Sequence, residues 1–307
     1  MSDLKLFRIA KGVAAELVGG SVALEKSLQK VIEDNMETLF GVRFLATEFR
    51  TGPRHGGRID SLGLDENGSP VIFEYKRSMN ENVINQGLFY LDWLMDHRGD
   101  FRVLVQDQLG PETVKELDWS APRLVCVASD FTRYDEHAIL QMGRSIELVR
   151  YRDFQGEFLA LDLVASTAGN ASPSQPSETP VKVGKAKHSY ATVTELLPKA
   201  PEPLATLYAD LDVYLMALGD DVTMTTRKLY FAYRRIKNFA CVEVHPNTGE
   251  LLVFIKVDPQ AIRLEEGFSR DVSNIGHFGT GDVELHLKTG ADFEKAQPLL
   301  QMSYENS

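Results

Sequence analysis

Apolar and polar positions alternate along the chain in runs that read as helices and strands. Leu24, Leu28, Val31, Ile32 and Leu39 recur near the helical period and predict a helix over about 23–40, after a weakly patterned segment at 4–18. Three strand-like runs follow, 43–50, 58–64 and 71–76, and Asp65-Glu66-Asn67-Gly68-Ser69-Pro70 supplies a turn between the last two. Val83, Ile84, Leu88, Leu91, Leu94 and Met95 repeat at helical spacing, predicting a helix over about 81–97 with Asn80 as its N-cap. Beyond it, 101–105 and 124–128 read as strands, 134–142 as a helix, and 146–151 and 158–164 as two further strands. Strands interleaved with helices in this order predict a mixed sheet flanked by helices.

The pattern stops at 165–187, a stretch rich in Ala, Ser, Pro, Thr and Gly with few large apolar residues. Such a segment cannot bury enough surface to offset the entropy of ordering it, so it reads as a flexible linker. That gives domains at 1–164 and 188–307, in keeping with a length of 307 residues. The second domain shows a helix over about 203–218 ended by Gly219, then strands at 228–234, 239–244, 251–257 and 283–287. Pro246-Asn247-Thr248-Gly249 reads as a hairpin turn, and 292–304 as a closing helix. This second domain is a smaller α+β unit.

Composition changes the picture only by exclusion. Hydrophobic residues make up 43% and charged residues 25%, as in soluble proteins. No apolar run approaches the roughly 20 residues that span a bilayer, and the N-terminus lacks a secretory pattern, so a cytoplasmic protein with no membrane partner is expected. Two cysteines, Cys126 and Cys241, lie far apart in apolar runs and fit buried free thiols. The net charge of −11 argues against a protein that coats nucleic acid non-specifically. It leaves room for a local basic cleft.

The candidate chemistry lies on the strands 58–64 and 71–76. Side chains alternate between faces along a strand, so Asp60 shares a face with Leu62 and Leu64, while Glu74 and Lys76 share one with Ile72. A register centred on Asn67 sets Asp60 opposite Glu74, and one centred on Gly68 sets it opposite Lys76. Either brings two carboxylates and an ammonium together. Adjacent carboxylates that are partly desolvated repel, and a divalent cation relieves both costs. Hard oxygen donors favour Mg²⁺ or Mn²⁺, which activate water and polarise phosphoryl oxygens. The spacing alone is equally met by an ion pair on a solvated hairpin.

More of the chain bears on that choice. Gly57-Arg58-Ile59-Asp60, Ile72-Phe73-Glu74-Tyr75-Lys76 and, on the next helix, Asn85-Gln86-Gly87 through Asp92-Trp93-Leu94 resemble the PD-(D/E)xK, or restriction-endonuclease-like, superfamily. They are most similar to its NucS (EndoMS) type nuclease domain, over roughly 24–105. The resemblance implies an α/β restriction-endonuclease-like N-terminal domain in which Asp60 and Glu74 bind the metal, Lys76 is catalytic and Gln86 supports the site. The carbonyl of Tyr75 is the implied further metal ligand. The proline of the superfamily's nominal motif is absent, Ile59 standing in its place. Some members add a Glu from the first helix, for which Glu25 and Glu33 are both open. The implied function is a Mg²⁺-dependent DNA endonuclease of defence, restriction or repair, with homodimers common among such folds. The alternative is a non-catalytic nucleic-acid-binding or regulatory protein on the same fold.

Arg50, Arg54, His55, Arg58 and Arg77 lie close to this site in sequence, and Gly52, Gly56 and Gly57 permit close backbone approach, as phosphate contact requires. In the second domain the stretch 267–282 is dense in Gly and polar residues and resembles an uncharacterised module sometimes labelled a predicted transport protein. Lys256, Arg270, His277 and Phe278 would form a contact surface there. A tight loop capped by Asp271 and Asp282 accounts for the same residues.

Overall fold

A run of two strand-forming stretches opens the structure where the sequence pattern is weakest. The computed structural model describes residues 4–22, 24–52, 56–77, 83–169, 192–277 and 279–307. Arg54, His55, the proposed cap Asn80, Phe278 and most of the linker lie outside the described residues. The chain divides into two compact units, Met1–Asn170 and Ala171–Ser307.

In the first unit β1 (Leu6–Ala10) and β2 (Val13–Leu17) form an antiparallel hairpin. The helix expected over 23–40 is two helices, α1 (Glu25–Asp34) and α2 (Met36–Phe40). Asn35 separates them, its side-chain amide donating to the Val31 carbonyl at 2.9 Å. Leu28, Ile32, Met36 and Phe40 are all buried, whereas Leu24 and Val31 are exposed. The buried stripe therefore runs at four-residue steps one position away from part of the expected one.

Next come β3 (Val42–Arg50), β4 (Arg58–Asp65), β5 (Pro70–Lys76), α3 (Val83–Asp96) and α4 (Arg98–Leu109). The strand expected at 101–105 lies inside α4. Phe101 and Val105 are four apart and both buried, while Val103 between them is exposed. That spacing belongs to one face of a helix. β6 (Arg123–Ala128), α5 (Arg133–Leu140), β7 (Ser145–Phe154) and β8 (Phe158–Thr167) complete the unit. β8 runs three residues into the stretch read as linker, because Ala165, Ser166 and Thr167 pair with Leu148, Glu147 and Ile146 of β7.

The six strands β3 to β8 lie in sequence order in one mixed sheet. β5, β6 and β7 are mutually parallel and the other pairings are antiparallel. α3 packs Val83, Ile84, Leu91 and Leu94 onto Leu62, Leu64, Ile72 and Leu124. Gly87 allows the approach, since a Cβ there would lie 2.4 Å from Leu124 Cδ1. On the opposite face the Phe40 ring of α2 meets Phe73 edge-on at 5.1 Å. At the far end of the sheet Arg123 is buried, holding Glu147 through two 2.8 Å bonds and Asp65 through one of 3.1 Å.

The second unit contains α6 (Val193–Leu196), α7 (Glu202–Met216), β9 (Thr223–Thr226), β10 (Phe231–Arg234), β11 (Asn238–His245), β12 (Glu250–Ile255), β13 (Ser269–Asp271), β14 (Val283–Leu287) and α8 (Gly290–Glu305). Its antiparallel sheet has the order β13-β14-β12-β11-β10-β9. The strand expected over 228–234 starts later, because Arg227 to Tyr230 forms the turn from β9, closed by the Arg227 N–H on the Tyr230 carbonyl at 2.9 Å. Leu204, Leu207, Leu211 and Leu215 of α7 and Ala296 and Leu300 of α8 cover Val242, Val244, Leu251 and Val253 of the sheet. Among the described residues no helix is long and apolar enough to cross a membrane.

Candidate active site

The register of β4 on β5 pairs Ser61 with Phe73 and Leu62 with Ile72, the alignment centred on Asn67. Continued by one step, it sets Asp60 across from Glu74. There the ladder ends and the two carboxylates take over from it. The Tyr75 N–H donates to Asp60 Oδ2 at 3.0 Å, and the Asp60 N–H donates to Glu74 Oε1 at 3.4 Å. Each strand thus presents a main-chain donor to the other's acid, which fixes both side chains at the point where the strands part. Gln29 of α1 adds a bond of 2.8 Å to the Asp60 carbonyl.

Glu74 is fully buried and its Oε2 has no hydrogen-bond partner. Burial first, and then the negative charge of Asp60, lifts its carboxyl to about 9. Burial also raises Asp60, against the Tyr75 N–H and Lys76, which pull it down. Burial and Asp60 together thus favour the protonated form of Glu74.

A cavity of about 320 Å³ opens over Asp60, and Glu25, Lys26, Gln29, Glu48, Arg58, Lys76, Gln86 and Tyr90 line it. Lys76 Nζ lies 3.8 Å from Glu25 Oε1, and Glu25 Oε2 accepts the Arg77 N–H at 3.0 Å. Of the two helix acids left open by the sequence, Glu25 borders the cavity. Glu33 instead accepts from the Ser61 hydroxyl at 2.6 Å and the Gln29 amide at 3.0 Å. Gln86 Nε2 lies 3.5 Å from the Tyr90 hydroxyl, which accepts the Arg58 N–H at 3.2 Å. Gly57 is required beside that ring, since a Cβ there would stand 2.6 Å from it.

A second cavity of about 500 Å³ is bordered by Arg50, Gly52, Gly56, Gly57 and Arg58. Arg58 lines both cavities. The Arg77 side chain is exposed, and its carbonyl accepts from the Tyr151 hydroxyl at 3.1 Å. The pattern of the sequence did not single out Glu48, Lys26 or Tyr90. Glu48 has φ 49, a left-handed backbone that no residue of its own type signals.

The donor set fits a hard divalent cation. Glu74 Oε2 is an orphaned buried oxygen, and Asp60 is the acid beside it. Among the described residues no group of three or more His, Cys, Asp or Glu could by itself hold a metal ion. Mg²⁺ does not require one, since it commonly keeps several waters and takes one or two carboxylates plus substrate oxygens.

In the second unit a cavity of about 700 Å³ is lined in part by Lys256, Asp271, His277 and Asp282. The His277 ring stacks on Phe254 at 4.4 Å, and Arg270 is held by Glu284 at 2.7 and 2.9 Å. Asp271 accepts the Ser273 N–H at 2.9 Å, a local cap of the loop.

Residues 193–307 match a family described as a domain of unknown function (DUF5655). An uncharacterised protein of Haemophilus influenzae is 27% identical over 313 residues, covering 99% of this chain and all of the relative. Among solved structures, the chain is similar to a repair endonuclease from Pyrococcus abyssi, at 19% identity and TM-score 0.28, over 43% of this chain and 50% of that one. It is also similar to EndoMS in a complex with double-stranded DNA, at 21% identity and TM-score 0.28, over 41% of this chain and 45% of that one. The matched part spans about half the length of these structures.

Proposed function

We propose that the first unit is a divalent-cation-dependent endonuclease that hydrolyses phosphodiester bonds in DNA. The observation that carries this reading is the meeting of Asp60, Glu74 and Lys76 at the parting of β4 and β5, with Glu74 Oε2 left unsatisfied. Asp60 and Glu74 would hold Mg²⁺ or Mn²⁺, with the Tyr75 carbonyl as a further ligand. The cation supplies Lewis acidity and a more acidic bound water. The remaining chemistry falls to the chain's own residues.

Lys76 lines the cavity beside Asp60 and is only partly exposed. Its ammonium would orient the attacking water and balance negative charge that grows on the phosphoryl oxygens. Glu25 holds Lys76 and, through the Arg77 N–H, the end of β5. Gln86 and Tyr90 form the wall contributed by α3. Arg50 and Arg58, with Arg54 and Arg77, supply phosphate contacts that place the backbone over Asp60. The second unit would select the substrate or partner.

The test is incubation of single-stranded, duplex, mismatched, branched and modified DNA with the chain and Mg²⁺ or Mn²⁺. Cation-dependent cleavage that disappears in Asp60→Ala supports the reading. Salt-sensitive binding of DNA with no cleavage of any form would favour a non-catalytic binding protein instead.

A further inference from the structure

Glu48 occupies an unusual place in β3. Its neighbours pair as Thr47 with Ser61 and Phe49 with Ile59, so Glu48 stands across from Asp60. Its φ is 49, in the left-handed region. The consequence is visible on either side of it. The Thr47 hydroxyl accepts from Gln29 of α1 at 3.1 Å, whereas the Phe49 ring lies 5.5 Å from Trp93 of α3. A regular strand would send residues two apart to the same layer. Here the left-handed residue lets the strand switch layers. Glycine takes that conformation without strain, yet the chain carries a glutamate whose carboxylate borders the Asp60 cavity.

Arg58 lies against that carboxylate, with Glu48 Oε2 2.9 Å from Arg58 Nη1. Arg58 also lines both the cavity over Asp60 and the glycine-lined cavity. We infer that Glu48 is a positioning residue that couples substrate binding to cation binding, by exchanging its pairing with Arg58 for a charge beside Asp60 when a phosphodiester takes the guanidinium. This inference rests on the nuclease reading above. A separate observation beside Asp60 points to a cation: the buried Glu74 Oε2 has no hydrogen-bond partner.

Carboxylate and phosphodiester compete for Arg58. The planar guanidinium of Arg58 matches carboxylate and phosphate alike, and the same face cannot serve both. Before substrate arrives, Arg58 neutralises Glu48, and the cavity holds less uncompensated negative charge. Once a phosphodiester engages Arg58, Glu48 loses its counter-ion while facing Asp60, and its charge already opposes that of Asp60. A cation at Asp60 and Glu74 relieves the repulsion. Coupling of this kind is reciprocal, so the cation must tighten DNA binding by the same factor. The cation and the scissile strand therefore load together.

The experiment measures Mn²⁺ binding to the full chain, by electron paramagnetic resonance of the free ion, with and without short phosphorothioate DNA in single-stranded and duplex form. The wild type should bind Mn²⁺ about fivefold or more tightly with DNA than without it. In Glu48→Gln that ratio should fall by about threefold or more, while DNA binding in the absence of cation stays equal or strengthens because Arg58 is released. A purely structural role would weaken both. Glu48→Gly serves as the second variant, since glycine suits the left-handed backbone. It should melt no lower than wild type by tryptophan fluorescence and still lose the coupling. A wild-type ratio near one, or a ratio unchanged in both variants, overturns the role of Glu48. If the wild type binds no Mn²⁺ under either condition and matches Asp60→Asn, the nuclease reading itself fails.

Discussion

Replacing Glu74 by Gln tests whether this acid is held in place for a cation. In the folded chain the Glu74 carboxyl is lifted from its ordinary 4.5 to about 9, by burial first and by Asp60 second. The group therefore favours the folded state fully below about pH 4.5, and that contribution is lost as the pH rises towards 9. The unfolded chain releases the proton throughout this window while the folded chain keeps it. Each pH unit costs about 1.4 kcal/mol for one proton, so from pH 5 to pH 8 the wild type should lose up to about 4 kcal/mol relative to Glu74→Gln. The variant keeps the shape and has no proton to lose. Both tryptophans, Trp93 and Trp119, lie in the first unit, so urea unfolding followed by their fluorescence reports that unit alone. The measurement is made in EDTA at pH 5, 6, 7 and 8. Adding Mg²⁺ at pH 8 should restore stability to the wild type and not to the variant, because the cation replaces the proton. For the same reason Mg²⁺ affinity should rise with pH by up to about tenfold per unit below 9. Parallel pH profiles for the two proteins, with Mg²⁺ acting equally on both, would show that no cation replaces a proton on Glu74.

Other outcomes follow from the same geometry. Arg123→Ala leaves Asp65 and Glu147 buried without their cation and should cost the first unit about 3–5 kcal/mol in urea unfolding, whereas a loss below about 1 kcal/mol would show that water reaches the pair. Gly87→Ala pushes a Cβ into Leu124 and should destabilise the unit by about 1–3 kcal/mol by the same assay; an unchanged midpoint would mean that α3 can move off the sheet. Burial drives the Cys126 thiol upward, so it should resist a thiol-directed reagent in the native chain and react only on unfolding; rapid native labelling would contradict the packing of β6.

The sequence and the structure agree most closely where one physical rule dominates. The β4–β5 hairpin was legible because period-two alternation and a Gly-containing turn join these two strands, and the observed register is one of the two that alternation allowed. Helix α4 was not legible, since Phe101, Val103 and Val105 also alternate and only burial shows that Val103 faces outwards. The break at Asn35 depends on a side-chain bond to Val31 that apolar spacing does not encode. β1 and β2 bury little apolar surface and so leave a faint pattern. Glu48 was missed for a further reason: its left-handed φ is set by the opposite anchoring of Thr47 and Phe49, which only the packed layers reveal. The depth of Glu74 is of the same kind, because spacing pointed only to partial desolvation and the full burial comes with the neighbouring strand β6.

The most direct test of the central claim separates binding from chemistry at Lys76. Lys76→Met keeps much of the side chain's length and removes the ammonium. This variant should bind Mn²⁺ and DNA close to wild type, yet cleave at least about 100-fold more slowly at saturating cation. Cleavage by Lys76→Met at the wild-type rate, or its absence in the wild type across every DNA form and both cations, would contradict that claim.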